Sequence, residues 1–262
     1  MWTTCSPRPP PAPPLLVTRI SGIFGTLRIY ENSTIMRLRA LMITLAPLCA
    51  GTSITTISWM ATCSKVRIGG LGLRVYVLCV NTSAAFDSFG GLAGREVLIV
   101  GSNIPWYEAN CVIRGATTTT LEYLPRFYDH ESMNNVLVGP QLNQMLRDGK
   151  LYDTILCISS VEHDGLGRYG DPINPNADLE TMQRMKKMLV RGGLLYISFP
   201  VGRDAVVWTA CRVYGPLRIP LLFEGWTLLG VYGAVSGCYE QVANIHTQPV
   251  FVLRNDGVQT EL

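Results

Sequence analysis

The run Leu151–Pro172, LYDTILCISSVEHDGLGRYGDP, decides the fold. From Tyr152 to Ser159 it is apolar, carries β-branched residues and has no charge after Asp153, which is how a strand buried on both faces of a parallel sheet reads. The composition then changes abruptly. Glu162, His163, Asp164, Arg168, Tyr169 and Asp171 follow, separated by Gly165, Gly167 and Gly170, so a polar, glycine-hinged loop is predicted at the carboxyl end of a central strand. Ligands of open α/β sheets sit at that edge, and binding or chemistry is expected there.

Working outward, strand and helix patterns alternate from about Asp87 onward, which by the connection rules means parallel strands joined by right-handed crossovers. The patterns predict strands at Glu96–Gly101, Ala116–Tyr123, Asn135–Val138, Tyr152–Ser159, Leu194–Phe199, Trp226–Tyr232 and Pro249–Leu253, the last two closing the sheet as an antiparallel pair. Helices are predicted at Pro105–Arg114, Gln141–Arg147, Ala177–Val190 and Asp204–Tyr214. The expected fold is α/β and Rossmann-like: a mostly parallel, seven-stranded sheet with helices on both faces. Met182, Met185 and Met188 recur at helical spacing and read as a packing stripe, not a ligand set.

The 262 residues suffice for one such domain, assigned to 87–262, and an N-terminal extension, 1–86. Met1–Phe86 carries eight Lys or Arg against Glu31 alone, net +7, leaving 14 bases against 18 acids, net −4, in the remainder. The folded part has no basic run interleaved with aromatics, so nucleic acid is not an expected partner. Pro7–Pro14, PRPPPAPP, excludes helix and sheet. Residues 40–64 carry no charge, lie between Arg37/Arg39 and Lys65/Arg67, and are long enough to span a bilayer, which implies membrane association in a secretory or anchored protein. Few acids with several Arg and many Ser and Thr support a second reading, an organelle transit peptide. Leu71–Val80 is either a strand or the end of this leader. The eight cysteines form no C-x-x-C pair, and reduced, buried thiols are expected, with no metal site.

Two positions carry the cofactor chemistry. Gly101, with Ser102 and Asn103, turns from the first strand toward Pro105, where a glycine lets a ligand approach the backbone and the helix start offers free N–H groups. GSNIP has one glycine where dinucleotide sites show three, so pyrophosphate binding is disfavoured. Glu122 ends the second strand about twenty residues later, the position from which a carboxylate accepts ribose hydroxyls. Its bland alternative is a solvent-facing acid at a strand end.

The order VLIVGSN, TTLEYLP, YDTILCISSVEH, MLVRGGLLYISFPVG resembles the class I S-adenosylmethionine-dependent methyltransferase fold, and SSVEHDGLGRYGDP, Ser159–Pro172, resembles a domain-of-unknown-function branch of it. The resemblance covers about Gly94–Arg254 and implies S-adenosylmethionine as cofactor. It makes Gly101 the cofactor-loop glycine and Glu122 the ribose carboxylate, and it sets Ser159, Ser160 and Glu162 under or beside the cofactor. The sequence departs from the usual pattern at Val100 and Asn103, and at Gly139–Pro140 after the third strand, where no Asp stands.

Methyl transfer is an in-line displacement that needs positioning more than a nucleophilic side chain, with a base for protonated acceptors. His163 is the candidate base, unless its ring merely ties the loop to backbone. Arg168 and Asp171 read as a grip on a substrate or as a pair fixing the loop, and Tyr169 as a stacking surface. The acceptor is expected to be a small molecule or glycan. The alternative is a catalytically inactive, membrane-tethered binding module. A G-x-S-x-G nucleophile elbow is lacking, and His130, His163 and His246 are too dispersed to argue for a metalloenzyme.

Overall fold

The computed structural model describes residues 17–22, 25–30, 70–102, 105–123, 125, 128, 130–233 and 247–257. Residues 40–64 and the Pro-rich run lie outside them, as does Asn103. The chain forms two compact units, Met1–Ser53 with Phe127–His130, and Ile54–Arg126 with Glu131–Leu262. In the first, strands β1 (Val17–Gly22) and β2 (Gly25–Tyr30) pair antiparallel, a hairpin that the leader reading did not anticipate.

The second unit contains the site. Its helices are α1 (Gly70–Ser88), α2 (Trp106–Ile113), α3 (Pro140–Arg147), α4 (Ala177–Lys187) and the short α5 (Ile219–Leu222). Its strands are β3 (Glu96–Val100), β4 (Thr117–Glu122), β5 (Met133–Leu137), β6 (Tyr152–Ile158), β7 (Leu189–Ser198), β8 (Ala205–Val207), β9 (Cys211–Val213), β10 (Thr227–Tyr232) and β11 (Val250–Arg254). Seven of them form one sheet in the order β10-β11-β7-β6-β3-β4-β5. β3 to β7 pair in parallel, and β11 and β10 add the antiparallel edge. This is the Rossmann-like, mostly parallel sheet expected from the sequence.

Two-sided burial explains the apolar strands. Along β6, Ile155 and Cys157 enter one core with Leu195, Ile197, Met182 and Met185, while Leu156 and Ile158 enter another with Tyr196, Phe86 and Cys111. β3 and β11 alternate in the same way, Leu98 and Phe251 against Val97 and Val252. Helices α3 and α4 thus cover one face and α1 and α2 the other. Each buried aliphatic side chain contributes about 1.5–3 kcal/mol, so truncating Ile155 would cost about 2–5 kcal/mol. The methionine stripe packs as predicted.

Three element assignments are corrected. Leu71–Val80 is helical, part of α1, which runs across residue 87 and puts Leu78, Ala85 and Phe86 into the core; Phe86 meets Tyr196 edge-on at 4.9 Å. The helix ends at Lys187 and the next strand begins at Leu189, because Asn255 Nδ2 donates to the carbonyls of Lys186 (3.1 Å) and Leu189 (2.9 Å), while Gly192 N–H bonds Asn255 O at 2.7 Å. Asp204–Tyr214 is the β8–β9 hairpin. Its β-branched and aromatic residues favour extended backbone, and Asp204 accepts the N–H groups of Gly215, Leu217 and Arg218 instead of starting a helix. Among the described residues no helix is long and apolar enough to cross a membrane.

Candidate active site

Between β3 and β6 the strand order changes direction, with β4 and β5 beyond β3 and β7 and β11 beyond β6. Loops leaving such a switch point diverge and open a crevice. Gly101 leaves β3 there at φ +73°, and Ser160 follows the tip of β6. A Cβ on Gly101 would lie 2.1 Å from Ser160 Oγ and 2.7 Å from Ser160 Cβ. The sequence predicts that this glycine opens space for a ligand. The structure fills that space with Ser160, so the glycine is required by a protein contact as well as by its backbone conformation.

Glu122, at the end of neighbouring β4, turns its carboxylate onto this corner. Its Oε1 accepts Ser102 N–H at 2.7 Å and its Oε2 accepts Tyr123 N–H at 3.1 Å. Ser102 is buried and Glu122 half-buried. The spacing between Gly101 and Glu122 therefore closes in space, and Glu122 is not a solvent-facing strand-end acid.

Ser159 has φ +53°, rare for a residue with a Cβ. Its N–H donates to Ser198 O at 2.8 Å, and its hydroxyl donates to Glu162 Oε1 at 2.8 Å. Glu162 is 1% exposed. His163 Nδ1 lies 2.5 Å from Ala210 O. A carbonyl only accepts, so Nδ1 carries the proton, and in the neutral ring the lone pair is on Nε2, 3.8 Å from Glu162 Oε1. The imidazole does tie the loop to backbone, and the same bond fixes the tautomer a base would need.

Arg168 and Asp171 do not pair. Asp171 accepts the N–H groups of Gly167 and Tyr169, each at 3.2 Å. Burial pushes its carboxyl up, but these bonds outweigh burial and hold it below the ordinary value. Arg168 is exposed, 5.8 Å from the centroid of the exposed Tyr169 ring, which meets His163 edge-on at 5.7 Å. Asp171 therefore shapes the loop, while Arg168 and Tyr169 face solvent.

The loop is anchored by residues that the sequence did not single out. Arg212, 3% exposed on β9, donates to the carbonyls of Asp164, Asn174 (3.4 Å) and Pro175 (3.3 Å), and its Nε is 3.7 Å from Asp178 Oδ2. Asp178 is fully buried and receives Arg218 at both oxygens (2.8 and 2.6 Å) and the Tyr214 hydroxyl at 3.0 Å. A Cβ on Gly165 would lie 2.1 Å from Asn174 O, so the loop folds tightly onto itself. Burial pushes the Asp164 carboxyl up to about 6, helped by Asp171 and Asp178 and opposed by the Thr181 hydroxyl and Arg212. Burial, followed by the charges of Asp164 and Asp171, likewise raises the Tyr123 phenol. Gln248, just before β11, donates Nε2 to Ser159 Oγ at 3.3 Å. No periodicity or motif marks these residues; they meet only through chain reversals. Cys79, Cys111, Cys157 and Cys211 are buried, and burial raises the Cys111 and Cys157 thiols.

The chain is similar to the N-methyltransferase NodS from Bradyrhizobium japonicum WM9 in complex with S-adenosyl-L-homocysteine, at 16% identity over 70% of this chain and 86% of that one, TM-score 0.46. It is also similar to the Burkholderia thailandensis 1,6-didemethyltoxoflavin-N1-methyltransferase with bound 1,6-didemethyltoxoflavin and S-adenosylhomocysteine, at 12% identity over 92% of this chain and 95% of that one, TM-score 0.49. TehB from Haemophilus influenzae matches at 12% identity over 66% of this chain and 61% of that one, TM-score 0.42. The chain spans about half the length of two further solved structures, 46% and 49%. No curated protein matches it in sequence. The family model described as a Caenorhabditis protein of unknown function, DUF268, matches residues 94–254, more than half of the 262, and the chain belongs to that family.

Proposed function

We propose that the chain binds S-adenosylmethionine at the β3–β4–β6 corner and transfers its methyl group to a small molecule or glycan. The observation that carries this reading is the Glu122 carboxylate held 2.7 Å from the Ser102 amide at a glycine turn on the switch point. A carboxylate at this place suits a ribose diol, and the positive-φ turn at Gly101 brings backbone close to it. Among the described residues, Gly101 and Ser102 with Glu122 would hold the sugar side of the cofactor, with Ser159, Ser160 and Glu162 at the neighbouring strand tip; Asn103 belongs to the same proposal from the sequence alone.

Bound S-adenosylmethionine supplies an electrophilic methyl on a sulfonium. The chain's own work is positioning and proton handling. The Ser159–Glu162 bond and the buried loop network fix the crevice wall. His163 would take a proton from an acceptor at Nε2, and the Glu162 carboxylate 3.8 Å away would stabilise the resulting imidazolium. Arg168 and Tyr169, exposed on the same loop, would meet the substrate, a role supported by Tyr169 lying edge-on to His163. Calorimetric titration of the full chain with S-adenosylmethionine and S-adenosylhomocysteine tests the reading; a folded sample that gives no heat at millimolar ligand rejects it.

The charge-free residues 40–64 between basic flanks support membrane association. Fractionation of cells expressing a tagged chain checks this, since a transit peptide instead yields a shortened soluble product.

A further inference from the structure

The β8–β9 hairpin carries an apolar surface that the methyl-transfer reading does not use. β9 is buried on both faces, at Cys211, Arg212 and Val213 alike. Its partner β8 is the reverse. Val206 and Val207 are neighbours on that strand and so lie on opposite faces, yet they are 57% and 40% exposed, and Trp208 in the turn beyond is 66% exposed. Ala210 N–H closes the turn on Val207 O, and Ala210 O accepts the His163 Nδ1 proton, which sets the hairpin tip beside the candidate site. Two more exposed apolar residues adjoin the hairpin. Leu217, 77% exposed, donates its N–H to Asp204 Oδ2 at 3.0 Å, at the foot of β8. Ile173, 62% exposed, precedes Asn174 and Pro175, whose carbonyls accept from Arg212. The exposed charges in 165–176 and 203–221 are Arg168 and Arg203; Asp171 and Asp204 turn their oxygens to backbone N–H groups.

We propose that this hairpin tip docks on a lipid bilayer bearing anionic headgroups, with Val206, Val207 and Trp208 entering the interface. The contact is separate from the charge-free stretch 40–64 and does not depend on methyl transfer. Apolar side chains left in water on both faces of one strand are a cost that a partner can remove. A protein surface laid on one face would leave the other wet, whereas a lipid layer closes around a tip from every side. Tryptophan in the leading turn suits that depth, because its ring takes the acyl boundary while its N–H reaches the headgroups. Arg168 and Arg203 add attraction to lipid phosphate, and no exposed acid of the same segments opposes it.

The test mixes the full chain with phosphatidylcholine vesicles, with and without phosphatidylglycerol, and reads tryptophan emission. Trp208→Phe keeps an apolar ring at the tip, so wild type minus this variant isolates the Trp208 signal. That signal is expected to shift to the blue and to be quenched by lipids brominated near the headgroup end of their chains, at least about twofold more on the anionic vesicles. Insertion of 40–64 alone would hold the chain on vesicles without touching Trp208, so the quenching separates the two contacts. Val206→Ser with Val207→Ser should lower the quenching at least about twofold, and Arg168→Gln with Arg203→Gln should bring the anionic vesicles to the neutral level. Absence of vesicle binding, an unquenched Trp208 on vesicles that hold the chain, or equal quenching on both lipids would overturn the proposal. A concentration-dependent dimer in analytical ultracentrifugation that Trp208→Ser abolishes would also overturn it and assign the tip to a second copy. Cofactor heat in calorimetry is read without lipid, so either reading can fail while the other stands.

Discussion

Gly101→Ala puts the switch-point corner to a quantitative test. Two costs follow from the geometry. The backbone at φ +73° belongs to the left-handed region, which penalises a residue with a Cβ by about 1–2 kcal/mol. The added methyl also lands 2.1 Å from Ser160 Oγ and 2.7 Å from its Cβ, so Ser160 or the loop must move, an overpacking cost of about 1–3 kcal/mol. Together these give about 2–5 kcal/mol, a fall in Tm on the order of 10 °C for a domain of this size. The two costs separate in a double-mutant cycle, because Ser160→Gly removes both atoms in the way and leaves the backbone strain. Urea unfolding of the wild type, both single variants and the double variant is the assay. The double variant should recover about 1–3 kcal/mol relative to additivity. A Gly101→Ala loss under about 1 kcal/mol, or strict additivity with Ser160→Gly, refutes the packed corner on which the site is built.

Other outcomes follow from the same geometry. Glu122→Ala should weaken S-adenosylhomocysteine binding by about 1.5–3 kcal/mol, roughly 10- to 150-fold, measured by calorimetry; unchanged affinity removes Glu122 from the site. Asp164 has a folded pKa raised from 3.8 to about 6, so the folded state prefers its protonated form. Its stabilising contribution is full below about 4 and is lost as pH rises through about 6, a difference of about 3 kcal/mol that Asp164→Asn should abolish. Urea melts of both proteins from pH 4 to 7 read it, and parallel curves would show the carboxyl is not desolvated. Arg212→Met strips three carbonyls of a donor and the fully buried Asp178 of a nearby cation, and should cost about 3–5 kcal/mol in thermal or urea unfolding. A loss under about 1 kcal/mol would mean that β9 does not hold the loop.

The fold was legible because two-sided burial leaves a direct mark on composition. A strand such as Tyr152–Ile158 must be apolar at nearly every position, and a glycine-rich polar loop after it has few other places to go. Glu122 was legible for a related reason: β3, α2 and β4 are short, regular elements, so the chain distance between Gly101 and Glu122 becomes a fixed spatial relation across adjacent parallel strands. Local pattern alone therefore determined the sheet, its antiparallel edge and one corner of the crevice.

What surrounds that corner was decided only in three dimensions. The end of α4 at Lys187 depends on Asn255, whose side chain reaches the carbonyls of Lys186 and Leu189 from the end of the neighbouring strand β11, more than sixty residues along the chain. Arg212 in a hairpin and Asp178 at the start of α4 hold the polar loop, and Gln248 meets Ser159 from 89 residues away. Such contacts bring together single polar residues without period or spacing, so no windowed reading finds them. Even Gly101 carried an ambiguous signal, since a sequence shows that a side chain is missing and not which neighbour occupies the space. Hydrophobic periodicity wrote the sheet into the chain, whereas the long-range hydrogen bonds that shape the site existed only once the strands had been stacked in order.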